Sequence, residues 1–150
     1  MRGNRRRSIL WRTVELSDTQ IFPLIGPGGF ARLASGFYRR IPDDDILGPM
    51  YRKANASPGG PASNFAAAEG RLRDFLIQRF GGPEDYSQRR GHPRLRMRHA
   101  PFAIDAAARG RWLQLMEQAL TEARLPPEAE PVLRRYFHET ATFLINQPIE

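Results

Sequence analysis

The sequence predicts an all-α domain, and three observations support that prediction. Apolar residues recur at helical spacing in four segments of this 150-residue chain. A proline or a Gly-Gly pair follows each segment and ends it. No stretch alternates apolar and polar residues in the way that marks a half-buried strand. We therefore expect one domain, residues 21–148, built from four main helices in two pairs.

The first half of the chain is expected to contribute two of these helices. Residues 22–29 are rich in glycine and proline, which is typical of turns. A helix should follow them and end at Pro42, before a short helical turn over 43–51. Asn64 suits the cap of the second helix, which should run to about Phe80. The apolar stripe of the first helix consists of Phe30, Leu33, Ala34, Phe37 and Ile41.

Two segments of the first half are expected to lack regular structure. Residues 1–20 form a basic N-terminal extension, with five arginines and no acidic residue before residue 15, and we expect it to be flexible. Such a segment is solvated, although its arginines are also suited to nucleic acid or anionic lipid. Residues 52–63 are rich in proline, glycine and serine, which predicts a long loop.

The second half of the chain is expected to begin with a polar connector and a very short helix. The connector, 84–92, follows the Gly-Gly-Pro stop of the second helix. The short helix has under two turns, because Pro93 suits its first position and Pro101 disfavours helical geometry in the residue before it. The last two helices are expected at about 105–124, capped by Asp105, and at about 127–146.

The composition excludes several kinds of site. The chain has no cysteine, which rules out disulfides, thiol nucleophiles and thiolate metal sites. Its net charge is +7, and arginine carries nearly all of the positive charge because Lys53 is the only lysine. No apolar run is long enough to span a membrane. We expect a cytoplasmic protein without a membrane partner.

The segment 91–104 is the most informative part of the chain. Five arginines and no acidic residue lie between residues 86 and 104, and two of the three histidines, His92 and His99, are here. The short helix would hold His99 beside apolar side chains, namely Leu95, Met97, Phe102 and Ile104. This pattern suits one axial bond to a planar, apolar cofactor that carries carboxylates. A hydrogen-bonded structural histidine explains the same pattern, so the residues alone leave both interpretations open.

Several motifs together resemble a known family. They are Phe37-Tyr38, Pro49-Met50-Tyr51, Arg71-Leu72, Gly81-Gly82-Pro83 with Tyr86, the run from Gly91 to Phe102, and Trp112. Over residues 20–148 the chain resembles the truncated haemoglobins of the second group. The resemblance implies a truncated, two-over-two helical globin around haem b (iron protoporphyrin IX), with His99 as the proximal iron ligand through Nε2. The loop over 52–63 is longer than is usual for that group.

The resemblance also implies which residues surround the cofactor. Tyr38, Tyr51 and Trp112 would donate hydrogen bonds to a diatomic ligand on the distal side, where Ala68 and Leu72 complete the pocket. At the haem edge we expect Arg71 and Arg96 as propionate partners, with Tyr86 and His92 nearby. The remaining cofactor contacts implied by the resemblance are Phe37, Met50, Phe75, Leu95, Phe102, Ile104 and Met116.

The function implied by the resemblance is binding of oxygen and other diatomic gases, CO and NO, at a haem iron. Three donors would slow ligand release, which suits redox chemistry, such as nitric oxide or peroxide detoxification, or oxygen sensing or storage, better than transport. Redox activity would need an external reductase as partner, because the chain has no flavin or nicotinamide motif. Whether the protein is an enzyme, and whether it is a monomer or a homodimer, stays open.

Two other functions are considered beside this one. A basic helical nucleic-acid-binding module would use residues 1–12 and 89–98, and its binding would weaken steeply with salt. A haem-free relative would be a colourless structural protein. The nucleic-acid-binding module is kept as the alternative to the haem protein. We do not expect the haem-free relative, because His99, Tyr38, Tyr51 and Trp112 are all present.

Overall fold

The protein is made of helices throughout the part that the structure describes. This structure, a computed structural model, describes residues 16–55 and 65–147, without the side chains of residues 54 and 55. Over these ranges it contains a 3-10 turn, Asp18–Gln20, seven α-helices and no strand, which confirms the all-α prediction. The helices are α1 (Ile21–Arg39), α2 (Leu47–Asn55), α3 (Phe65–Arg79), α4 (Asp85–Arg90), α5 (Leu95–His99), α6 (Ala106–Ala123) and α7 (Glu130–Phe143).

Helix α1 is kinked near its start. Gly26 has a φ of 69° and a ψ of 173°, which interrupts the helix between two helical segments. Glycine adopts this conformation without a Cβ clash, and Pro27 then suits the first position of the second segment. Residues 22–29 were predicted to be turns. That prediction is wrong except at Gly26, because the proline restarts a helix here and does not end one.

Two helix pairs are joined by the contact between α1 and α6. Helix α1 packs against both α3 and α6, and α7 packs against α6. Gly36 of α1 lies against Ala119 of α6, where an added Cβ would come within 3.3 Å of the alanine Cβ. The missing side chain therefore allows the two helices to approach closely. The largest fully buried side chains here include Phe30, Leu33, Phe37, Met116, Leu120 and Leu133.

The first turn of α1 and the residues before it are tied to the end of α3. The backbone N–H of Phe22 donates to the Phe80 carbonyl at 2.9 Å, and Arg79 forms an ion pair of 2.8 Å with Asp18. Gly81 has a φ of +100°, and a Cβ at this position would lie 2.3 Å from the Thr19 carbonyl oxygen. Glycine is therefore required at the turn that follows α3.

Several element boundaries differ from those predicted. Helix α2 continues to Asn55, so the loop expected from residue 52 begins later. The connector predicted over 84–92 contains α4, because the Gln78 side chain binds the Ser87 backbone N–H and hydroxyl at 2.9 and 2.7 Å. Asp105 caps α6 as predicted, accepting from the Ala108 N–H at 2.8 Å. Residues 1–15 and 56–64, including Asn64, lie outside the described residues.

None of the helices described within 16–55 and 65–147 is both long enough and apolar enough to cross a membrane.

Two glycine substitutions should affect stability in opposite directions. Gly81→Ala should lower the free energy of unfolding by about 1–3 kcal/mol, because alanine is strained at this φ and its Cβ meets the Thr19 backbone. Gly110→Ala should raise it by up to about 1 kcal/mol, because residue 110 lies inside α6 with nothing within 4 Å of an added Cβ. Urea unfolding followed by circular dichroism measures both. A Gly81→Ala protein as stable as the wild type would contradict the packing described for this turn.

Candidate functional site

A cavity of about 330 Å³ is lined by residues from all seven helices. This volume is within the range usual for cofactor sites. Most of the lining side chains are apolar or aromatic, and the predicted residues among them are Phe37, Tyr38, Met50, Tyr51, Ala68, Arg71, Leu72, Phe75, Tyr86, Leu95, His99, Phe102, Ile104 and Trp112. The cavity therefore brings together most of the residues that the sequence assigned to the site.

His99 is held in one tautomer by its own helix. Its ring Nδ1 lies 2.6 Å from the carbonyl oxygen of Leu95, one turn earlier in α5. Because a carbonyl oxygen only accepts hydrogen bonds, Nδ1 must carry the proton, and the lone pair of the neutral ring is then on Nε2. A metal-ligating histidine is usually arranged in this way, with the second nitrogen bound to a backbone carbonyl. His99 is half-buried where it lines the cavity.

Three aromatic side chains with polar atoms surround Phe37. The ring centroid of Phe37 is 5.4 Å from Tyr38, 6.2 Å from Tyr51 and 5.4 Å from Trp112. The rings of Tyr38 and Tyr51 also meet edge to face at 5.8 Å. Phe37 is buried, with 1% of its surface exposed, so it fixes the positions of its three neighbours. The two hydroxyl groups and the indole N–H thus belong to one packed cluster.

Burial keeps both tyrosine hydroxyls protonated. It raises the pKa of Tyr38 to about 12, although the nearby charge of Arg71 acts in the opposite direction. Burial also raises the pKa of Tyr51 far above its ordinary value, and Tyr38 adds to this effect. A hydrogen bond with the Trp112 side chain partly opposes the rise. An indole N–H can only donate, so Trp112 is the donor to the Tyr51 oxygen.

An ion pair connects α2, which carries Tyr51, to α6, which carries Trp112. Asp44 accepts from the backbone N–H groups of Ile46 and Leu47 at 3.1 and 2.7 Å, which caps the first turn of α2. Its other oxygen accepts from Arg111 at 2.5 Å. The Asp44 side chain is only 6% exposed. The carboxylate therefore fixes the start of α2 against α6, next to Trp112.

Within the described residues, four arginines line the cavity, and the sequence predicted only one of them. Arg71 was expected, and Arg90, Arg98 and Arg109 were not. Arg98 donates from Nε to the Pro93 carbonyl at 2.7 Å and from Nη2 to the Arg90 carbonyl at 2.8 Å. These bonds hold its guanidinium against the connector between α4 and α5. The site is therefore more cationic than the sequence indicated.

Three predicted site residues do not line the cavity, and these assignments are corrected here. The Arg96 guanidinium lies 4.8 Å from the Phe143 ring centre, because residue 96 follows Leu95 by about 100° around α5 and faces outward. His92 is exposed, and its Nδ1 accepts from the Arg94 backbone N–H at 3.2 Å. Met116 is 1% exposed and belongs to the core cluster.

Helix α7 contributes cavity residues that the sequence analysis did not predict. They recur every four residues along the helix. This spacing marks one face of α7 and could have identified them from the sequence. These residues are Tyr136, Phe137, Thr140, Ala141 and Leu144, the last of which directly follows α7. Leu47, Leu76 and Ala108 also line the cavity and were not predicted.

Comparison with known proteins identifies similar chains and similar folds. The family described as bacterial-like globin matches residues 20–146. Group 2 truncated hemoglobin 3-1 of Lotus japonicus is 36% identical over 131 residues, which cover 87% of this chain and 74% of that protein. A thermostable hemoglobin of Thermobifida fusca is 40% identical with a TM-score of 0.76, and the match covers 89% of this chain and 100% of that one. The group II truncated hemoglobin of Bacillus anthracis is 28% identical with a TM-score of 0.74, and the match covers 87% and 93%.

Removing the Asp44 side chain should destabilise the protein. Asp44→Ala should lower the free energy of unfolding by about 2–3 kcal/mol, because it removes both a helix cap and a charge-assisted hydrogen bond. Asp44→Asn keeps a capping side chain and should cost about 1 kcal/mol. Asp45→Asn is the matched control, since Asp45 also pairs with Arg111 but is 81% exposed, and its effect should be close to zero. Urea unfolding at neutral pH measures all three.

The same ion pair predicts a loss of stability in acid. Burial raises the pKa of Asp44, but hydrogen bonds from Leu47, Arg111 and Ile46 outweigh it and hold the pKa below the ordinary 3.8. The unfolded chain therefore binds this proton more readily than the folded one. The stabilisation of the folded state by ionised Asp44 is complete above about pH 4, and it is lost as the pH falls through the folded-state pKa of Asp44. The difference in stability between wild type and Asp44→Asn should thus be largest at neutral pH and shrink as the pH falls below 3.8. A difference that stays constant as the protein is acidified would contradict the assignment.

Proposed function

The chain belongs to the bacterial-like globin family, and from this premise we propose that it binds haem b through His99 and retains diatomic ligands by hydrogen bonds from Tyr38, Tyr51 and Trp112. The resemblance to group II truncated haemoglobins predicted from the sequence is confirmed, as is the two-over-two helical fold. Membership of a globin family supports a haem protein that binds oxygen. To this we add the haem type, the residues and the reaction.

The state of His99 is the observation that carries the proposal. Its Nδ1–H is donated to Leu95 at 2.6 Å, which leaves Nε2 as the atom that can bind a metal. Around it the cavity offers apolar contacts such as Leu72, Phe75 and Phe102. The donor set and the lining thus fit haem, an apolar planar group that His99 Nε2 would hold. When bound, haem would supply an iron that can bind a diatomic molecule.

The arginines of the cavity are suited to the two haem carboxylates. Arg71, Arg90, Arg98 and Arg109 all line the cavity, and a guanidinium can form paired, charge-assisted hydrogen bonds with a carboxylate. Arg98 is held in place by backbone carbonyls, so it loses little conformational freedom when a carboxylate arrives. We therefore replace the sequence assignment of Arg96 with Arg98, and we retain Arg71.

The distal donors act as a connected group. Trp112 donates to the Tyr51 oxygen, which orients the Tyr51 hydroxyl so that its proton points to another acceptor. A diatomic ligand with partial negative charge is such an acceptor, and Tyr38 offers a second O–H beside it. In a site that excludes water, each hydrogen bond is worth about 1.5–3 kcal/mol, or about one to two decades in dissociation rate. The site therefore favours slow ligand release.

The raised pKa of Tyr38 bears on which redox reaction the site supports. A general acid works best when its pKa is near the working pH, and a value of about 12 is far above it. Ala68, which lines the cavity from α3, has no acidic or basic group either. This combination favours oxygen retention coupled to nitric oxide detoxification, or oxygen sensing or storage, over peroxide cleavage. Either redox reaction requires electrons from an external reductase.

Nucleic-acid binding gains no support from these observations. The family and the fold are those of globins. Of the basic segment at 89–98, Arg89 pairs with Asp74 at 3.3 Å, Arg90 lines the cavity, and Arg98 binds backbone carbonyls. Residues 1–12 of that hypothesis lie outside the described residues.

The first test is haem binding by His99→Ala. The wild-type protein reconstituted with haem should show a Soret band that shifts on addition of CO in the ferrous form. His99→Ala should bind haem more weakly and give an altered ferrous spectrum, because the proximal nitrogen is missing. His138→Ala is the matched control, since His138 is an exposed histidine on α7 and should leave the spectrum unchanged. A spectrum of His99→Ala identical to the wild type would refute the assignment.

The second test is oxygen release by tyrosine variants. Tyr51→Phe and Tyr38→Phe should each raise the oxygen dissociation rate by about tenfold to a hundredfold. Tyr136→Phe is the matched control, because Tyr136 also lines the cavity but its hydroxyl is engaged by Thr140 and Arg79. Since the pKa of Tyr38 is about 12, the wild-type rate should stay constant between pH 7 and pH 10. Stopped-flow spectroscopy measures the oxygen dissociation rates. Unchanged rates in both Tyr51→Phe and Tyr38→Phe would rule out these two hydroxyls as donors to the ligand.

A further inference from the structure

The segment that follows His99 is fastened to the end of α7 by one side chain, Asn146. The Asn146 amide N–H donates to the Phe102 carbonyl at 2.7 Å and to the His99 carbonyl at 3.3 Å. Its amide oxygen accepts from the Ile104 backbone N–H at 2.8 Å. The Asn146 backbone N–H adds a bond of 3.0 Å to the Ile104 carbonyl. We propose that Asn146 is a positioning residue for the proximal histidine, an inference that rests on the proposed role of His99.

Helix α5 needs such a support because it is very short. It has only five residues, Leu95–His99, and a helix of this length is not stable by itself. Its last carbonyl groups have no partner within the helix, and Pro101 prevents a further helical turn. The His99 carbonyl accepts from the Phe102 N–H at 3.0 Å and from Asn146. The backbone that carries His99 is therefore restrained both by the local bond from Phe102 and by Asn146, which follows α7.

A second anchor holds the other end of this segment. Arg98 binds the Pro93 and Arg90 carbonyls, which precede α5. Asn146 binds the carbonyl of His99, the last residue of α5, and the carbonyl of Phe102, which follows the helix. With both ends fixed, the imidazole keeps its position relative to the cavity. Arg98 also lines the cavity, whereas Asn146 does not. Asn146 therefore acts on the cofactor through the backbone of His99 and of the two cavity residues Phe102 and Ile104.

The three bonds require an asparagine at this position. Two of the partners are carbonyl oxygens and the third is an N–H, so the side chain must donate and accept at once. This requirement also fixes the orientation of the amide, because a flipped amide would place its oxygen against two carbonyls. Aspartate has nearly the same shape but cannot donate when ionised. Asn146→Asp should therefore keep the Ile104 bond and repel the His99 and Phe102 carbonyls.

The test is the iron–histidine stretching band in resonance Raman spectra of the ferrous, haem-loaded protein. Asn146→Ala and Asn146→Asp should still bind haem, but their band should be shifted and broadened, because the imidazole samples more orientations. Transfer of haem to apomyoglobin should be about tenfold faster than in the wild type. Gln114→Ala is the matched control, since Gln114 is an exposed amide side chain on α6, away from Asn146 in the chain. Its iron–histidine band and its rate of haem transfer should match those of the wild type.

The same substitution in a second variant, His99→Gly, shows whether Asn146 positions the histidine or merely stabilises the protein. In His99→Gly loaded with haem and free imidazole, the proximal ligand is no longer tied to the backbone. Adding Asn146→Ala to this background should leave the iron–imidazole band unchanged. An equal band shift in both backgrounds, or no shift in either Asn146 variant of the His99 protein, would overturn the role of Asn146. A wild-type protein that shows no iron–histidine band would instead overturn the proposed function itself.

Discussion

The close contact between α1 and α6 is the packing interaction on which the rest of the molecule depends. Gly36 and Ala119 allow the two helices to approach, and one residue later Phe37 meets Trp112. The same contact joins the two helix pairs and places Tyr38 of α1 beside the tryptophan of α6. A larger side chain at residue 36 would separate the helices and, with them, the hydrogen-bond donors of the site. The fold and the geometry of the candidate site thus both depend on the contact between α1 and α6.

The short helices of this protein are held by side chains from distant parts of the chain. Asp44 caps α2 and pairs with Arg111 of α6, and Asn146 after α7 binds the segment after α5. Short helices have little stability of their own, so these contacts replace the hydrogen bonds that a longer helix would form internally. Tyr51 lies on α2 and His99 on α5. Both sides of the candidate haem site therefore depend on contacts made outside the cavity.

The sequence was sufficient for the main helices, for their pairing and for most cavity residues, but not for local geometry. Helical spacing identifies α1, α3, α6 and α7 because each has several turns. The orientation of α5 does not follow from spacing, since its five residues make less than two turns, so spacing could not show that Arg98 and not Arg96 lines the cavity. The role of Asn146 was also hidden, because its side chain binds a residue 42 positions earlier in the chain.

Burial of the distal cluster has two effects that act together on function. It raises the pKa of Tyr38 and Tyr51, so that both remain neutral donors and neither is a good proton source. The same exclusion of water strengthens any hydrogen bond that these hydroxyls make to a ligand. A more exposed site would have a more acidic tyrosine and a weaker hold on the ligand. In the function proposed above, the cluster around Phe37 would therefore favour retention of a diatomic ligand over acid-catalysed cleavage of its bond.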